Sequence, residues 1–509
     1  MAAPTTLTWF ARHELNLVWR DWLSMMTAGK RGKEMLLALV LTAMALGAHW
    51  IAGTIVDAWA ADGVAPTKAN LVLLSGGGLL FFTLMLSQAM ESVTRAYYAR
   101  SDLDLILSSP ASSRRLFAIR TGAIGLSTLM LSGLIAAPFI NMLVLRDGWH
   151  WLAAYGVMAS FAALAAALAV LSVLALFRTV GPKRTRLISQ IVAAIVGAGF
   201  IIGIQAVAIV YYGSLSRFTL FQSPEVIALA PDVTSWLWLP ARAAMGDVAA
   251  LTGLGAVATG LFALVVAMSS ASFGDHAVSA AGVAVAKHRE NRRASGFRAM
   301  SPRRALRAKE WVLLKRDPWL ISQTLMQILY LLPPAMMLWL YYGESSGVSV
   351  IIITVLVMAS GQLSGGLAWL AISGEDAPDL VATAPVSERA IIWAKVEAVL
   401  SIIAVVVAPF IIAMAFVSVR QAGVAAMGIL LAAASATAIQ LWFRVQAKRT
   451  LFRRRQISSR TATLGEAFAS IMWAGTAGLA AGGTWLAVIP GFLALCVVAA
   501  MKLVAPKEA

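Results

Sequence analysis

"SDLDLILSSPASSRRLFAIR", residues 101–120, is a short polar interruption between two long apolar stretches. Leu103, Ile106 and Leu107 are spaced i, i+3, i+4, which predicts one apolar stripe on a short helix, with Asp102 and Asp104 on its other faces. Pro110 stops that helix, because proline has no backbone N–H to donate and restricts the residue before it. Ser112 then suits the N-cap of a helix that carries Arg114 and Arg120 into the next apolar stretch. "APDLVATAPVSERAIIWAK" (377–395) repeats this design. Asp104-Leu105, Pro110, Ser112, Arg114 and Arg120 correspond to Asp379-Leu380, Pro385, Ser387, Arg389 and Lys395, each 275 positions later. Glu388 falls in the first turn after Ser387, where the helix dipole favours an acid. A turn between helices needs only about two to eight residues, so two matched loops of this length point to docking knobs rather than plain turns.

The surroundings of the loops set the class of protein. Of 509 residues 60% are hydrophobic and 13% charged, with mean hydropathy +0.79, against roughly 25% charged in a soluble domain. About twenty consecutive apolar residues cross a bilayer. Such stretches fall near 35–56, 71–92, 116–143, 151–177, 190–212, 249–271, 321–342, 349–372, 391–418, 423–444, 464–482 and 485–504. The expectation is an all-α polytopic membrane protein of about twelve spans. No cleavable signal peptide is expected, since polar and basic residues precede the first span. The single cysteine, Cys496, excludes a disulfide within the chain, and the five histidines have no metal-ligand spacing.

The net charge of +17 sorts by side. With the N-terminus placed in the cytoplasm, 36 of the 41 Lys and Arg residues fall on inward segments and five on outward loops (Lys68, Arg146, Arg217, Arg242 and Arg420). That is the asymmetry of the positive-inside rule. It accounts for the basic balance without nucleic acid, and it places both termini in the cytoplasm. The long outward segment 213–248, with Pro224, Pro231, Pro240, Trp236 and Trp238, is expected to hold short interfacial or re-entrant helices.

Three landmarks divide the chain into parallel halves. "RHELNLVWRDWL" (12–23) precedes the first span and "AKEWVLLKRDPWL" (308–320) the seventh, with Glu14, Arg20 and Asp21 matching Glu310, Arg316 and Asp317. The two polar loops follow two spans later in each half. After four spans Arg184-Thr185 and Gln190 match Arg460-Thr461 and Glu466, 276 positions apart. Six spans is an even number, so both copies share one orientation and form a parallel repeat. The expected domains are a first six-span domain (1–274), a basic cytoplasmic linker (275–305) and a second six-span domain (306–509).

The chain carries no GxxxxGK[ST] phosphate loop, and its spans hold almost no ionisable residue near their middles. The interior polar side chains are chiefly His49, Gln88, Asn141, Gln205, Gln362 and Gln440, residue types that usually join helix to helix. An energy source outside the chain, coupled through the knobs, fits these absences. With those residues in hand, the sequence resembles the permease subunit of an ABC transporter, of the exporter class with six spans, an N-terminal elbow helix and a coupling helix between spans two and three. Two fused copies cover nearly the whole chain, carried by "KEWVLLKRDPWLISQTLMQILYLLPP" (309–334) and the two DLxxxxPxSxR loops.

The resemblance implies that Asp104, Leu105, Pro110, Ser112 and Arg114, and likewise Asp379, Leu380, Pro385, Ser387 and Arg389, lie at or beside an ATPase contact. It implies that Glu14, Arg20, Asp21, Glu310, Arg316 and Asp317 sit on elbow helices at the inner surface. It further implies export, a plasma-membrane (inner-membrane) location, and separate ATPase subunits in two copies that supply ATP and Mg sites, with no cofactor in this chain. Fusion of two halves departs from the commoner single six-span subunit and leaves further permease dimerisation open. The spans suit a hydrophobic or amphipathic cargo. The alternative is a secondary transporter of major-facilitator architecture, but its loop between spans two and three typically has glycines, and 92–115 has none. A membrane-embedded enzyme would need an acid, histidine or arginine cluster at one interface, and the best candidates occur twice, as a repeat would place them.

Overall fold

In lipid every backbone N–H and C=O must be satisfied within the protein, so an apolar chain crosses as helices or as a closed barrel. The computed structural model takes the first course: among the described residues there are helices and turns and no strand. The structure describes residues 34–60, 63–98, 113–213, 220–269, 300–316, 346–373, 383–443 and 460–505, with isolated positions between them. The chain divides into two compact units, Met1–Ile204 with Ser216–Asn291, and Gln205–Leu215 with Arg292–Ala509.

In the first unit α1 (Glu34–Trp59), α2 (Lys68–Tyr98), α3 (Ser113–Asp147), α4 (Ala153–Val180) and most of α5 (Pro182–Tyr212) precede two short helices, α6 (Pro224–Leu229) and α7 (Leu239–Ala244), and then α8 (Val248–Ser269). α4 is the central rod, packed by α2, α3 and α8, and α1 lies along α3. Lipid offers no hydrophobic drive between helices, so close approach through small residues decides which faces meet. On α4 the buried face is Ala165, Ala166, Ala167 and Ala169, all fully buried. A single 3₁₀ turn, Trp149–Leu152, joins α3 to α4. Gly148 opens that turn at φ 124°, a conformation side-chain-bearing residues avoid. Trp151 is 1% exposed and donates Nε1–H to Asp147 Oδ2 at 2.8 Å.

The segment expected to form short helices does so. Ser223 Oγ accepts the Val226 N–H at the start of α6, and a 3₁₀ turn at Trp236–Trp238 leads into α7. Lys68 at the start of α2 anchors the segment, pairing with Asp232 at 3.2 Å and donating to the Ala230 carbonyl at 3.1 Å.

The second unit holds α9 (Pro302–Arg316), α10 (Ser346–Ser373), α11 (Glu388–Val417), α12 (Val419–Phe443), α13 (Arg460–Ala481) and α14 (Val488–Val504). α10, α12 and α13 pack against one another, α11 lies on α10 and α12, α14 lies on α13, and α9 crosses α11. Missing side chains make the contacts: Gly361 of α10 faces Ser470, and Gly428 of α12 faces Ala477 and Val357. α3 and α11 each contain an internal proline, Pro138 and Pro409.

Nine helices among the described residues are long and apolar enough to span a membrane: α2, α3, α4, α5, α8, α10, α11, α12 and α14. α1 and α13 add helices of 26 and 22 residues. The protein is therefore a multi-pass helical membrane protein. The expected span 321–342 lies outside the described residues except for isolated positions, as does the expected linker up to residue 299.

Candidate functional site

Among the described residues of the second unit, charged side chains cluster where α9, α10 and α11 meet. On α9 Trp311 and Val312 are exposed, while Glu310 and Leu313 turn inward. Glu310 is fully buried, and a carboxylate there requires cationic or hydrogen-bonding partners. It has two. Lys395 of α11 approaches Glu310 Oε1 at 3.0 Å, and Lys309 approaches the same oxygen at 3.3 Å. Lys395 Nζ also donates to the Ala371 carbonyl at 2.6 Å. Ala371 belongs to the last turn of α10, where carbonyls lack intrahelical partners. One ammonium thus joins three helices. A second pair, Arg307 Nε to Glu397 Oε2 at 2.7 Å, ties α9 to α11 about one turn away.

This junction lies by the end of α10 and the start of α11, which flank residues 374–387, of which 383–387 are described. Ser387 has the extended backbone of an N-cap, and its Oγ accepts the Ala390 N–H, with Glu388 in the first turn. Pro385, Ser387 and Arg389 are exposed. Asp379 and Leu380 lie outside the described residues, as do Asp104, Leu105, Pro110 and Ser112 of the earlier loop. Arg114 is in the first turn of α3 and Arg316 ends α9; Glu14, Arg20, Asp21 and Asp317 lie outside the described residues.

The structure therefore brings one expected elbow residue, Glu310, against Lys395, the last landmark of the repeated loop. Sequence reasoning named both residues and did not pair them, because they stand 85 positions apart. The available signal was a basic residue at the same register in both halves. Arg120, the matching position in the first unit, is likewise buried, at 3% exposure.

Other buried polar groups lie on helix contacts. Glu466 of α13 accepts from Gln440 Nε2 of α12 at 2.6 Å and rests on Gly365 of α10, where a side chain would collide with its carboxylate. In the first unit α5 meets α2 through Thr94 Oγ1 donating to Ser189 Oγ at 2.9 Å and Ser87 Oγ donating to the Ala193 carbonyl at 2.7 Å. Both contacts join α2 to α5 through hydroxyl side chains. Among the described residues no group of His, Cys, Asp and Glu is arranged to hold a metal ion.

No known family, characterised protein or solved structure matches this chain.

Proposed function

We propose that the chain is the membrane-spanning permease of an ATP-driven ABC transporter, an exporter of hydrophobic or amphipathic cargo, coupled to separate ATPase subunits through loops 100–115 and 375–390. On this reading it has twelve spans in two parallel six-span halves, with cytoplasmic termini in the plasma (inner) membrane. ATP and Mg bind in the partner. The chain itself does no hydrolysis and binds no nucleic acid.

The observation that carries the reading is the three-helix junction at Lys395. The loop 374–387 begins where α10 ends and finishes where α11 begins, so a force on it acts on both helix ends together. Lys395 joins those ends through Ala371 and extends the link to α9 through Glu310. A partner that pushes the loop would move α9, α10 and α11 as one body. A plain turn between two spans would need no such link. Only a partner with different affinity for two arrangements of these helices can shift them, and a nucleotide-driven ATPase pair is such a partner. The first loop has arginines around its acids (Arg100, Arg114, Arg115), whereas the second is more acidic (Glu375, Asp376, Asp379, Glu388), so the two dock unequally.

The test is co-purification of the tagged chain from native membranes, followed by ATPase assay and identification of what comes with it. A stoichiometric ATPase, lost when Asp104→Lys and Asp379→Lys are combined, supports the proposal. The single changes should weaken binding to different extents at low salt. A chain that purifies alone, hydrolyses nothing and moves solute under a proton gradient overturns the proposal in favour of a secondary carrier.

A further inference from the structure

Within the apolar body of the first unit three side chains form a hydrogen-bonded chain across α1, α3 and α4. His49 Nδ1 lies 2.8 Å from the Ala45 carbonyl, one turn back on α1. Asn141 Nδ2 of α3 lies 3.0 Å from His49 Nε2, and the Tyr155 hydroxyl of α4 lies 2.6 Å from Asn141 Oδ1. All three are partly buried. Asn141 is six residues inside the end of α3, or about 9 Å at 1.5 Å per residue.

With the Asn141 amide oriented so that Nδ2 faces the imidazole, the chemistry of the partners assigns the protons. A carbonyl only accepts, so His49 Nδ1 carries a hydrogen and donates to Ala45. Nε2 of the neutral ring then has a lone pair and accepts from the Asn141 amide. Asn141 Oδ1 only accepts, so the Tyr155 hydroxyl donates to it. The direction of the chain, from Tyr155 through Asn141 to His49, is that of a neutral imidazole.

A proton added at Nε2 would set an N–H of His49 against an N–H of Asn141. Turning the Asn141 amide over removes the conflict. Oδ1 then accepts from Nε2–H, and Nδ2 donates to the Tyr155 oxygen, which also accepts. The Tyr155 hydrogen turns away. One proton is gained, no other covalent bond changes, and each link in the chain is retained with reversed direction. We propose that His49 Nε2 is a proton-binding site, with the Asn141 amide as the element that reports its occupancy to α3 and α4.

The surroundings single this group out. His49 is the only Asp, Glu, Lys, Arg or His between Glu34 and Asp57 of α1. None occurs between Arg120 and Arg146 of α3, between Lys68 and Glu91 of α2, between Ala153 and Arg178 of α4, or in α8. The charged groups nearest in the chain are engaged elsewhere. Asp57 pairs with Arg146 at 2.7 Å, Asp147 accepts from Trp151 and lies 3.6 Å from His150, and Arg242 pairs with Asp247. Helix-to-helix glue requires only an amide or a hydroxyl; a histidine adds the capacity to hold a charge near physiological pH. This inference is independent of the proposed ATPase coupling.

The experiment uses the full chain in lipid nanodiscs, labelled with ¹⁵N-histidine, with His13, His150, His276 and His288 changed to Gln so that His49 is the only histidine. Nitrogen NMR spectra are recorded from about pH 8 to about pH 5, the range in which histidine ordinarily changes charge. At the alkaline end the ring should carry its hydrogen on Nδ1 alone, and on acidification it should become doubly protonated. Adding Asn141→Asp replaces the donor facing Nε2 by a carboxylate, and the ring should then become doubly protonated at higher pH than with Asn141 in place. A hydrogen on Nε2 alone at the alkaline end, a ring that stays singly protonated throughout, or no response to Asn141→Asp would each overturn the proposal.

Discussion

At the three-helix junction the sign of an effect is predictable as well as its size. Glu310 is fully buried and Lys395 is 11% exposed. Changing Lys395 to Met leaves the carboxylate with Lys309 alone; changing Glu310 to Leu leaves two ammonium groups near each other, with the Ala371 carbonyl as the nearest acceptor for one. Breaking a buried pair by removing one partner costs about 3–5 kcal/mol, mostly the penalty of the charge left behind. Lys309 at 3.3 Å and the residual exposure of Lys395 place these single changes at the lower end, about 3 kcal/mol each. The double change, Glu310→Leu with Lys395→Met, removes both ions of the pair and leaves Lys309, whose side chain is 30% exposed. It forfeits the bond to Ala371 and costs about 1 kcal/mol. The double variant should therefore unfold at higher denaturant than either single variant, measured in mixed micelles by tryptophan fluorescence. A double variant whose loss equals the sum of the singles to within about 0.5 kcal/mol would refute the pairing. Exchanging the charges should rescue poorly, since a carboxylate at position 395 would face the Ala371 carbonyl.

Gly361→Ala should destabilise the second unit by about 1–3 kcal/mol, because its methyl would lie 2.8 Å from Ser470 Cβ and 3.3 Å from Ala432 Cβ, atoms fixed to helix backbones. Gly366→Ala, with nothing within 4 Å, should be neutral or slightly stabilising in the same denaturant assay, and equal losses would remove the packing argument. Ser387→Ala should cost about 1 kcal/mol through loss of the cap on Ala390, with Ser387→Asp retaining it. Asp247, ahead of α8, is held below the usual carboxylate range by the Ala250 N–H and then by the Arg242 guanidinium. A depressed acid stabilises the fold above the ordinary carboxylate range, and that contribution is lost as pH falls through its folded value. Acid unfolding of Asp247→Asn should accordingly be less pH-dependent than that of the parent, and identical acid profiles would contradict this.

The positions of most spans were legible because lipid leaves a long apolar run one common solution, a helix with its backbone bonds closed. Ser387 was legible as a cap because capping needs one side chain and its own next turn. The pairing of Glu310 with Lys395 was not, nor the seat of Glu466 on Gly365, nor the line from Tyr155 through Asn141 to His49. In water an amphipathic stripe shows which face of a helix turns inward. In these spans the lipid-facing and protein-facing sides are both apolar, as exposed Ile412 and Phe416 and buried Val407 and Met414 on α11 illustrate. Among the described residues, the sequence by itself determined where the long helices run and which polar residues interrupt them. Tertiary structure decided which of those residues meet, because a buried charge or amide in lipid must find a partner, and the partners here come from helices far apart in the chain.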